Sequence, residues 1–202
     1  MKTRVIIYLI GILLLSSCRN CTKNSNNLYD RGVSQELAMQ RKENIKNPVY
    51  ELLFRIPESK DSMVCGDINI DFHISQPQEI IIDFREEQNI HKVRVNENDA
   101  AYQICNEHII IPANTLKQGN NRVGISFTVN NQSLNRNDEF LYTLLVPDRA
   151  RTLFPCFDQP DLKATFKLTL EVPVEWSAIS NAPISKEHIK ESRKQITFAP
   201  TE

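Results

Sequence analysis

The chain has 202 residues, of which 41% are hydrophobic and 24% are charged, with 24 basic against 25 acidic side chains. These values are ordinary for a globular domain, and the nearly neutral balance argues against nucleic acid as a partner. Only five glycines are present, which excludes a fibrous or low-complexity chain. The length predicts one domain, of a size that a large all-β fold can have.

The first 18 residues predict export. A basic start, with Lys2 and Arg4, precedes an apolar run over residues 5–15 that is short for a membrane span. A Leu-Ser-Ser-Cys sequence then ends at Cys18 and resembles the bacterial lipobox. In that class of signal the cysteine becomes the lipidated first residue of the mature protein. We therefore predict a signal peptide over residues 1–17 and lipid on Cys18, with an uncleaved anchor or a plain secretory signal as alternatives.

A polar, asparagine-rich stretch over residues 18–33 predicts a lipid-attached, flexible tether. Cys18 and Cys21 have the C-x-x-C spacing of redox and zinc pairs, but a single pair in a polar tail disfavours both. The four cysteines other than Cys18, which are Cys21, Cys65, Cys105 and Cys156, allow three pairings, and the size of the domain favours free, buried thiols. The expected location is the bacterial cell envelope, with the protein anchored in a membrane and facing the periplasm.

The folded domain is predicted over residues 34–202. Ser34 is a good N-cap for a helix that Asn47-Pro48 should end. Apolar residues then alternate with polar ones, which predicts β-strands separated by polar turns. The predicted strands cover residues 50–56, 68–74, 79–84, 91–96, 101–105, 108–111, 123–129, 164–172, 177–180 and 195–198. This pattern is typical of an all-β, antiparallel β-sandwich with a short N-terminal helix and short helical turns between strands.

The sequence contains no motif of a hydrolase, a phosphate-binding loop or a metal site. Its four histidines are His73, His91, His108 and His188, and none begins the H-E-x-x-H pattern of a zinc helix. The local His/carboxylate groupings, Glu107-His108 and Glu187 to Glu191, are interpreted as solvated surface. By its own residues the chain is predicted to have no catalytic residue, no metal ligand and no cofactor.

One region carries a family resemblance. Residues 140–173, FLYTLLVPDRARTLFPCFDQPDLKATFKLTLEVP, and residues 176–183, WSAISNAP, resemble the N-terminal domain of the aminopeptidase N family of zinc metallopeptidases. The order of a tyrosine-led strand, an arginine-containing turn, a Pro-Cys-Phe-Asp-Gln-Pro segment and an Ala-Thr-Phe strand carries this resemblance. It implies a saddle-like β-sandwich that packs on a thermolysin-like zinc domain. That domain, with its zinc and its H-E-x-x-H motif, is expected beyond Glu202.

The resemblance also implies a role for the Pro-Cys-Phe-Asp-Gln-Pro segment, which in the family lies at the junction with the zinc domain. The implied junction residues are Phe154, Pro155, Cys156, Phe157, Asp158, Gln159 and Pro160. Two prolines fix φ at either end, so the residues between them can form a rigid wall. The alternative is a turn buried wholly within this domain. The junction hypothesis predicts an exposed apolar surface at residues 144–146 and 154–157.

A second set of residues departs from the family pattern. The family usually has Gln-x-Glu shortly after the Tyr-Thr pair, and the glutamate helps to hold the free α-amine of the substrate. Leu144, Leu145 and Val146 occupy those positions here, and an apolar side chain cannot pair with an ammonium group. The resemblance thus implies an apolar wall of the substrate pocket at these residues. The alternative is that Leu144 and Val146 are core residues of a strand.

These features favour a non-catalytic N-terminal domain of a membrane-tethered zinc aminopeptidase, inactive by itself. Its expected partners are the downstream zinc peptidase domain, the peptide substrates of the parent enzyme and, through the lipid, a membrane. The alternative function is a stand-alone β-sandwich lipoprotein that binds peptide or protein along a sheet edge.

Overall fold

The computed structural model describes residues 27–130 and 134–202. The predicted signal peptide, Cys18 and most of the predicted tether lie outside the described residues. Within the described ranges, no helix is long and apolar enough to cross a membrane.

A single α-helix, α1 (Gln35–Asn44), opens the described domain, as the sequence predicts. Ser34 caps it by accepting a hydrogen bond from the backbone N–H of Leu37 at 3.1 Å. The helix ends at Asn44, three residues before the position predicted from Asn47-Pro48, and the chain continues directly as a strand. Asn47 takes a positive φ of 51° at an irregularity in that strand's pairing, which explains how the strand accommodates Asn-Pro.

Strands make up most of the rest of the fold. In chain order they are β1 (Ile45–Arg55), β2 (Val64–Ile74), β3 (Ile80–Asp83), β4 (Ile90–Val95), β5 (Asn98–Asp99), β6 (Gln103–Cys105), β7 (His108–Ile111), β8 (Gly119–Val129), β9 (Leu134–Arg136), β10 (Leu141–Thr143), β11 (Thr165–Pro173), β12 (Ile184–Lys190) and β13 (Arg193–Phe198). Short 3-10 turns lie at Asn27–Tyr29, Glu87–Asn89, Ala113–Thr115 and Ala150–Thr152. The predicted strand at residues 177–180 is wrong, because these residues form a loop, and β12 was not predicted.

The strands form three sheets. The large sheet has the order β12-β13-β11-β1-β2-β8-β4-β5, a second sheet has the order β3-β7-β6, and β9 pairs with β10. Neighbouring strands are antiparallel with one exception among the described pairs, the parallel pairing of β1 with β11. The prediction of an all-β, sandwich-like domain is confirmed.

The core lies between the large sheet and the β3-β7-β6 sheet. Alternate residues of β1, β2 and β8 meet the inward side chains of β3 and β7 in one buried apolar cluster. The packing is tight at Gly66 in β2, where any side chain would collide with the ring of Phe127. The opposite face of β3 and β7 is buried as well, and the buried guanidinium of Arg41 in α1 contacts β3 on that side.

Candidate functional site

The candidate site is the segment between β9 and β11, because it contains every predicted site residue apart from Cys18. Its first half is exposed. Four apolar side chains at alternating positions form what we call the exposed apolar strip: Phe140 (54% exposed), Tyr142 (52%), Leu144 (49%) and Val146 (74%). The rings of Phe140 and Tyr142 pack with their centroids 6.0 Å apart. Leu145, between two strip residues, packs instead against the core.

The exposure of the strip shows that one of the two interpretations of the apolar residues after Thr143 is wrong. Alternation could have placed Leu144 and Val146 in the core, but both side chains are exposed. β10 ends at Thr143, so neither side chain belongs to a strand of the described fold. The described structure thus has an apolar surface here, as the sequence analysis predicted for residues 144–146.

The second half of the segment, residues 155–160, is called the PCFDQP segment below. The expectation of an apolar surface at residues 154–157 is wrong. Phe154 and Phe157 are each only 4% exposed and belong to the main core. Both rings lie 6.4 Å from the ring of Tyr50, whose hydroxyl accepts the backbone N–H of Phe157 at 2.9 Å. These aromatic contacts fasten the segment to β1.

Asp83, the last residue of β3, fixes the segment from the other side. Its backbone exchanges two hydrogen bonds with Cys156, at 2.8 and 3.0 Å. Its carboxylate accepts the N–H of Asp158 at 2.9 Å and two bonds from Arg41, at 2.6 and 2.8 Å. The side chain of Asp83 is fully buried. Burial alone would raise its pKa, but the charge of Arg41 and the bonds from His108 and Arg41 outweigh it and lower the pKa.

His108 is the third group on this carboxylate. Its Nδ1 lies 2.8 Å from Asp83 Oδ1, and its Nε2 lies 2.8 Å from the carbonyl oxygen of Asp30. Both neighbours are acceptors, so both contacts are hydrogen bonds only when each ring nitrogen carries a proton. The interpretation of Glu107-His108 as solvated surface is wrong, because both side chains are buried. The grouping at Glu187 to Glu191, in contrast, is exposed.

Arg151 joins the turn before the PCFDQP segment to the same cluster. Its guanidinium contacts Asp158 at 3.2 Å, Glu107 at 3.3 Å and Asp148 at 3.2 Å. Burial raises the pKa of Asp158 despite the contacts with Arg151. Burial also raises the pKa of the Cys156 thiol far above its ordinary value, so this cysteine is a packed thiol rather than a nucleophile or metal ligand.

The outer side of the PCFDQP segment borders a shallow cleft of about 280 Å³. Its lining residues include Pro147, Ala150, Asp158, Pro160 and Lys163. Of the predicted junction residues, Pro160 is exposed and Asp158 is half-buried, while the remaining five are buried. The structure therefore brings the seven together as one rigid element, whose outer surface is formed mainly by its second half.

The Arg41–Asp83–His108 cluster was not predicted from the sequence. A weak signal was present, because Asp83 ends a run of three isoleucines and an acid in a buried strand needs a partner. The partners themselves come from α1 and β7, and no local pattern connects them. Among residues 27–130 and 134–202, no group of three metal-ligating side chains is assembled.

Fold and segment together define the class of this protein: an all-β sandwich domain with a Pro-bracketed turn fixed in its core. The chain belongs to the Peptidase M1 N-terminal domain family, whose model matches residues 46–202. It is the N-terminal domain type of M1 zinc aminopeptidases.

Three curated relatives illustrate the similarity. Aminopeptidase 2, mitochondrial, of Saccharomyces cerevisiae is 25% identical over 92% of this chain and 21% of its own length. Aminopeptidase N of Streptomyces lividans is 36% identical over 46% of this chain and 12% of its own length. Aminopeptidase M1 of Arabidopsis thaliana is 46% identical over 28% of this chain and 6% of its own length. The chain thus spans at most about a fifth of the length of these three relatives.

Solved structures share the fold. The M1 zinc metallopeptidase of Deinococcus radiodurans superposes with a TM-score of 0.64 at 19% identity, over 77% of this chain and 38% of that one. A two-domain M1 zinc metallopeptidase mutant bound to L-arginine gives the same TM-score and identity, over 77% and 39% of the two chains.

Proposed function

We propose that this chain is the non-catalytic N-terminal domain of a membrane-tethered zinc aminopeptidase, where it packs on the peptidase domain and forms one wall of the substrate site. The single observation that carries the proposal is the exposed apolar strip. Four large apolar side chains alternate along one short stretch and face solvent, which is typical of a surface that another domain covers. The family relationship supports a zinc peptidase domain as the one that covers the strip.

The segment that follows the strip supports a wall function. After an intervening turn that contains Arg151, the chain enters the PCFDQP segment, which Tyr50 and Asp83 hold by hydrogen bonds to its backbone. Both partners are buried, so the segment has little freedom to move. A rigid support is what a wall beside a substrate requires, because the position of the wall decides which side chains fit.

Zinc is assigned to the peptidase domain of the parent enzyme. The described residues of this chain do not fit a zinc site, since no group of three ligands is assembled and Cys156 is a protonated, packed thiol. Bound zinc would acidify a water molecule for hydrolysis. No step of that reaction is attributed to this chain, and we expect it to be inactive alone.

The wall we propose is apolar at positions where the family resemblance implies a carboxylate. Leu144 and Val146 project into solvent and cannot pair with an ammonium group. Recognition of the substrate amine therefore falls to the peptidase domain.

A second function has one observation in its favour. β12 is one of the two edge strands of the large sheet, and all seven of its side chains are exposed, including Ile184 and Ile189. Such an edge can pair with an extended peptide, as a stand-alone binding lipoprotein would require.

The first experiment is to read the coding sequence beyond Glu202. A downstream H-E-x-x-H motif supports the enzyme, and a stop codon directly after Glu202 contradicts it. The parent protein is then compared with two matched variants, Val146→Asp in the strip and Ile189→Asp on the β12 edge. A covered strip buries an unpaired charge in the first variant only, so Val146→Asp should lower peptidase activity and loosen the domain contact. Loss of function in Ile189→Asp alone would favour peptide binding at the edge.

The same proposal includes a lipid anchor at Cys18. Mass spectrometry of the mature N-terminus should find acyl chains on Cys18, because stable membrane attachment needs more than one chain. A Cys18→Ala protein that still partitions wholly with membranes would contradict the anchor without affecting the strip.

A further inference from the structure

Cys105, at the end of β6, is buried and disulfide-bonded. The other two described cysteines, Cys65 and Cys156, are free thiols. The chain contains five cysteines, and the remaining two are Cys18 and Cys21. The partner of Cys105 is therefore not among the described cysteines. Among the described cysteines, the expectation of free, buried thiols holds for Cys156, whereas Cys65 is free but exposed and Cys105 is disulfide-bonded.

The chain upstream of α1 reaches the domain beside Cys105. Asn106 donates to the carbonyl oxygen of Tyr29 at 2.8 Å, and the Tyr29 hydroxyl donates to Glu79 at 2.6 Å. The next carbonyl, of Asp30, contacts His108, and Arg31 pairs with Glu107 at 3.3 Å. Residues 29–31, which the sequence analysis placed in the flexible tether, thus bond along the turn between β6 and β7.

We propose that Cys21 and Cys105 form a disulfide that fastens the tether to the β6–β7 turn. The choice of Cys21 over Cys18 rests on the proposed lipid anchor, because a diacylglyceryl group attached to the Cys18 sulfur makes it a thioether, which cannot form a disulfide. Cys21 lies eight positions before Tyr29, and eight residues can extend about 26 Å. That reach lets the chain return to Cys105 from the position of Tyr29.

The bond forms by thiol–disulfide exchange. The two thiols lose two protons and two electrons to a disulfide oxidant of the envelope, which leaves as two thiols, and the Cys21–Cys105 bond remains. Reduction by a dithiol reverses the step.

The disulfide would shorten the tether. With it, only the three residue steps from Cys18 to Cys21 separate the lipid from the domain, a reach of about 10 Å. Without it, the eleven steps from Cys18 to Tyr29 allow about 36 Å. The bond would therefore keep the β6–β7 turn close to the membrane and decide which face of the domain points towards the bilayer.

Peptide mapping of the full chain from bacterial membranes tests the pairing. Free thiols are alkylated without reduction, and trypsin then separates Cys18 from Cys21 by cleavage after Arg19. The expected product is residues 20–23 linked to residues 95–117. It should disappear in Cys21→Ser, where Cys105 becomes alkylated, and persist in Cys65→Ser, the matched control.

The other outcomes separate this proposal from the lipid anchor. A link from Cys105 to Cys18 overturns both. An alkylated Cys105 in the unreduced wild-type chain overturns the disulfide and leaves the anchor intact. A Cys21–Cys105 link without lipid on Cys18 supports the disulfide and overturns the anchor.

A second experiment measures whether the disulfide holds the domain at the membrane after the tether is cut. Lys23 is the one lysine between Cys18 and α1, so endoproteinase Lys-C cuts the tether there and leaves Arg19 intact. After a brief digestion the wild-type domain should stay with the membranes until a reductant is added. The Cys21→Ser domain should appear in the supernatant at once. Release of the wild-type domain without reductant would contradict the proposal.

Discussion

Two neighbouring regions of the molecule, the exposed apolar strip and the stretch from Phe154 through the PCFDQP segment, both carry large apolar side chains and have opposite environments. Tyr142 and Val146 face solvent, whereas Phe154 and Phe157 are in the core. Apolar character does not explain the difference. What separates them is a set of buried polar groups, Tyr50 and Asp83, that bond the backbone of the second region and hold its rings inward. Apolar side chains without such anchors are the ones available to a partner.

The largest expected effect is the loss of stability when a core ring of this comparison is removed. Phe157→Ala removes a ring that packs against Tyr50 and Phe72 and should lower the free energy of unfolding by about 3 to 5 kcal/mol. Tyr142→Ala, the matched change in the strip, should stay within about 0.5 kcal/mol. Urea denaturation followed by circular dichroism measures both. Equal losses in the two variants would contradict the assignment of core and surface.

The next effect tests the polar anchor. Asp83→Asn keeps one oxygen acceptor but removes the charge that Arg41 and His108 face. The free energy of unfolding should fall by about 3 kcal/mol, since a buried partner is left without its counter-charge. Asp99→Asn, at an exposed ion pair with Lys92, is the control and should change stability by less than about 1 kcal/mol. An unchanged unfolding midpoint in Asp83→Asn would show that the cluster does not hold the segment.

The pH dependence of the free energy of unfolding tests the same role of the Asp83 carboxylate. The pKa of Asp83 is lowered from its ordinary value of 3.8, so its ionised form is stabilised by folding. This contribution is fully present above pH 3.8 and is lost as the pH falls through the lower pKa of the folded state. The stability difference between wild type and Asp83→Asn should therefore shrink below pH 3.8. A difference that stays constant between pH 6 and pH 3 would exclude this role of the carboxylate.

The smallest effect concerns the strip as a substrate wall and rests on the proposed function. Val146→Glu in the parent enzyme restores a carboxylate near the substrate amine. An ion pair at a partly solvated site contributes up to about 1 kcal/mol, which corresponds to a fall in KM of roughly fivefold for aminoacyl substrates. Val146→Gln, of the same shape without the charge, should leave KM unchanged. A larger gain in Val146→Gln than in Val146→Glu would contradict the pairing with the amine.

Local sequence determined much of this fold. The N-cap at Ser34 and the good helix formers after it specified α1, since a helix start depends on residues within one turn. The alternation of apolar and polar residues specified β1, β2, β8 and β11, because this two-residue period depends only on the sequence of each strand. The family resemblance of residues 140–183 identified the domain type without any structure.

Pairing, burial and cross-linking were decided by tertiary structure. The parallel contact of β1 with β11, the burial of Glu107 and His108, and the disulfide of Cys105 all join residues far apart in the chain. Large apolar side chains occur both in the strip and around the PCFDQP segment, and the region that faces the core is the one whose backbone N–H groups donate hydrogen bonds to Tyr50 and Asp83. The physical reason is that a side chain's environment depends on which distant groups the fold brings to it, and local patterns do not encode those partners.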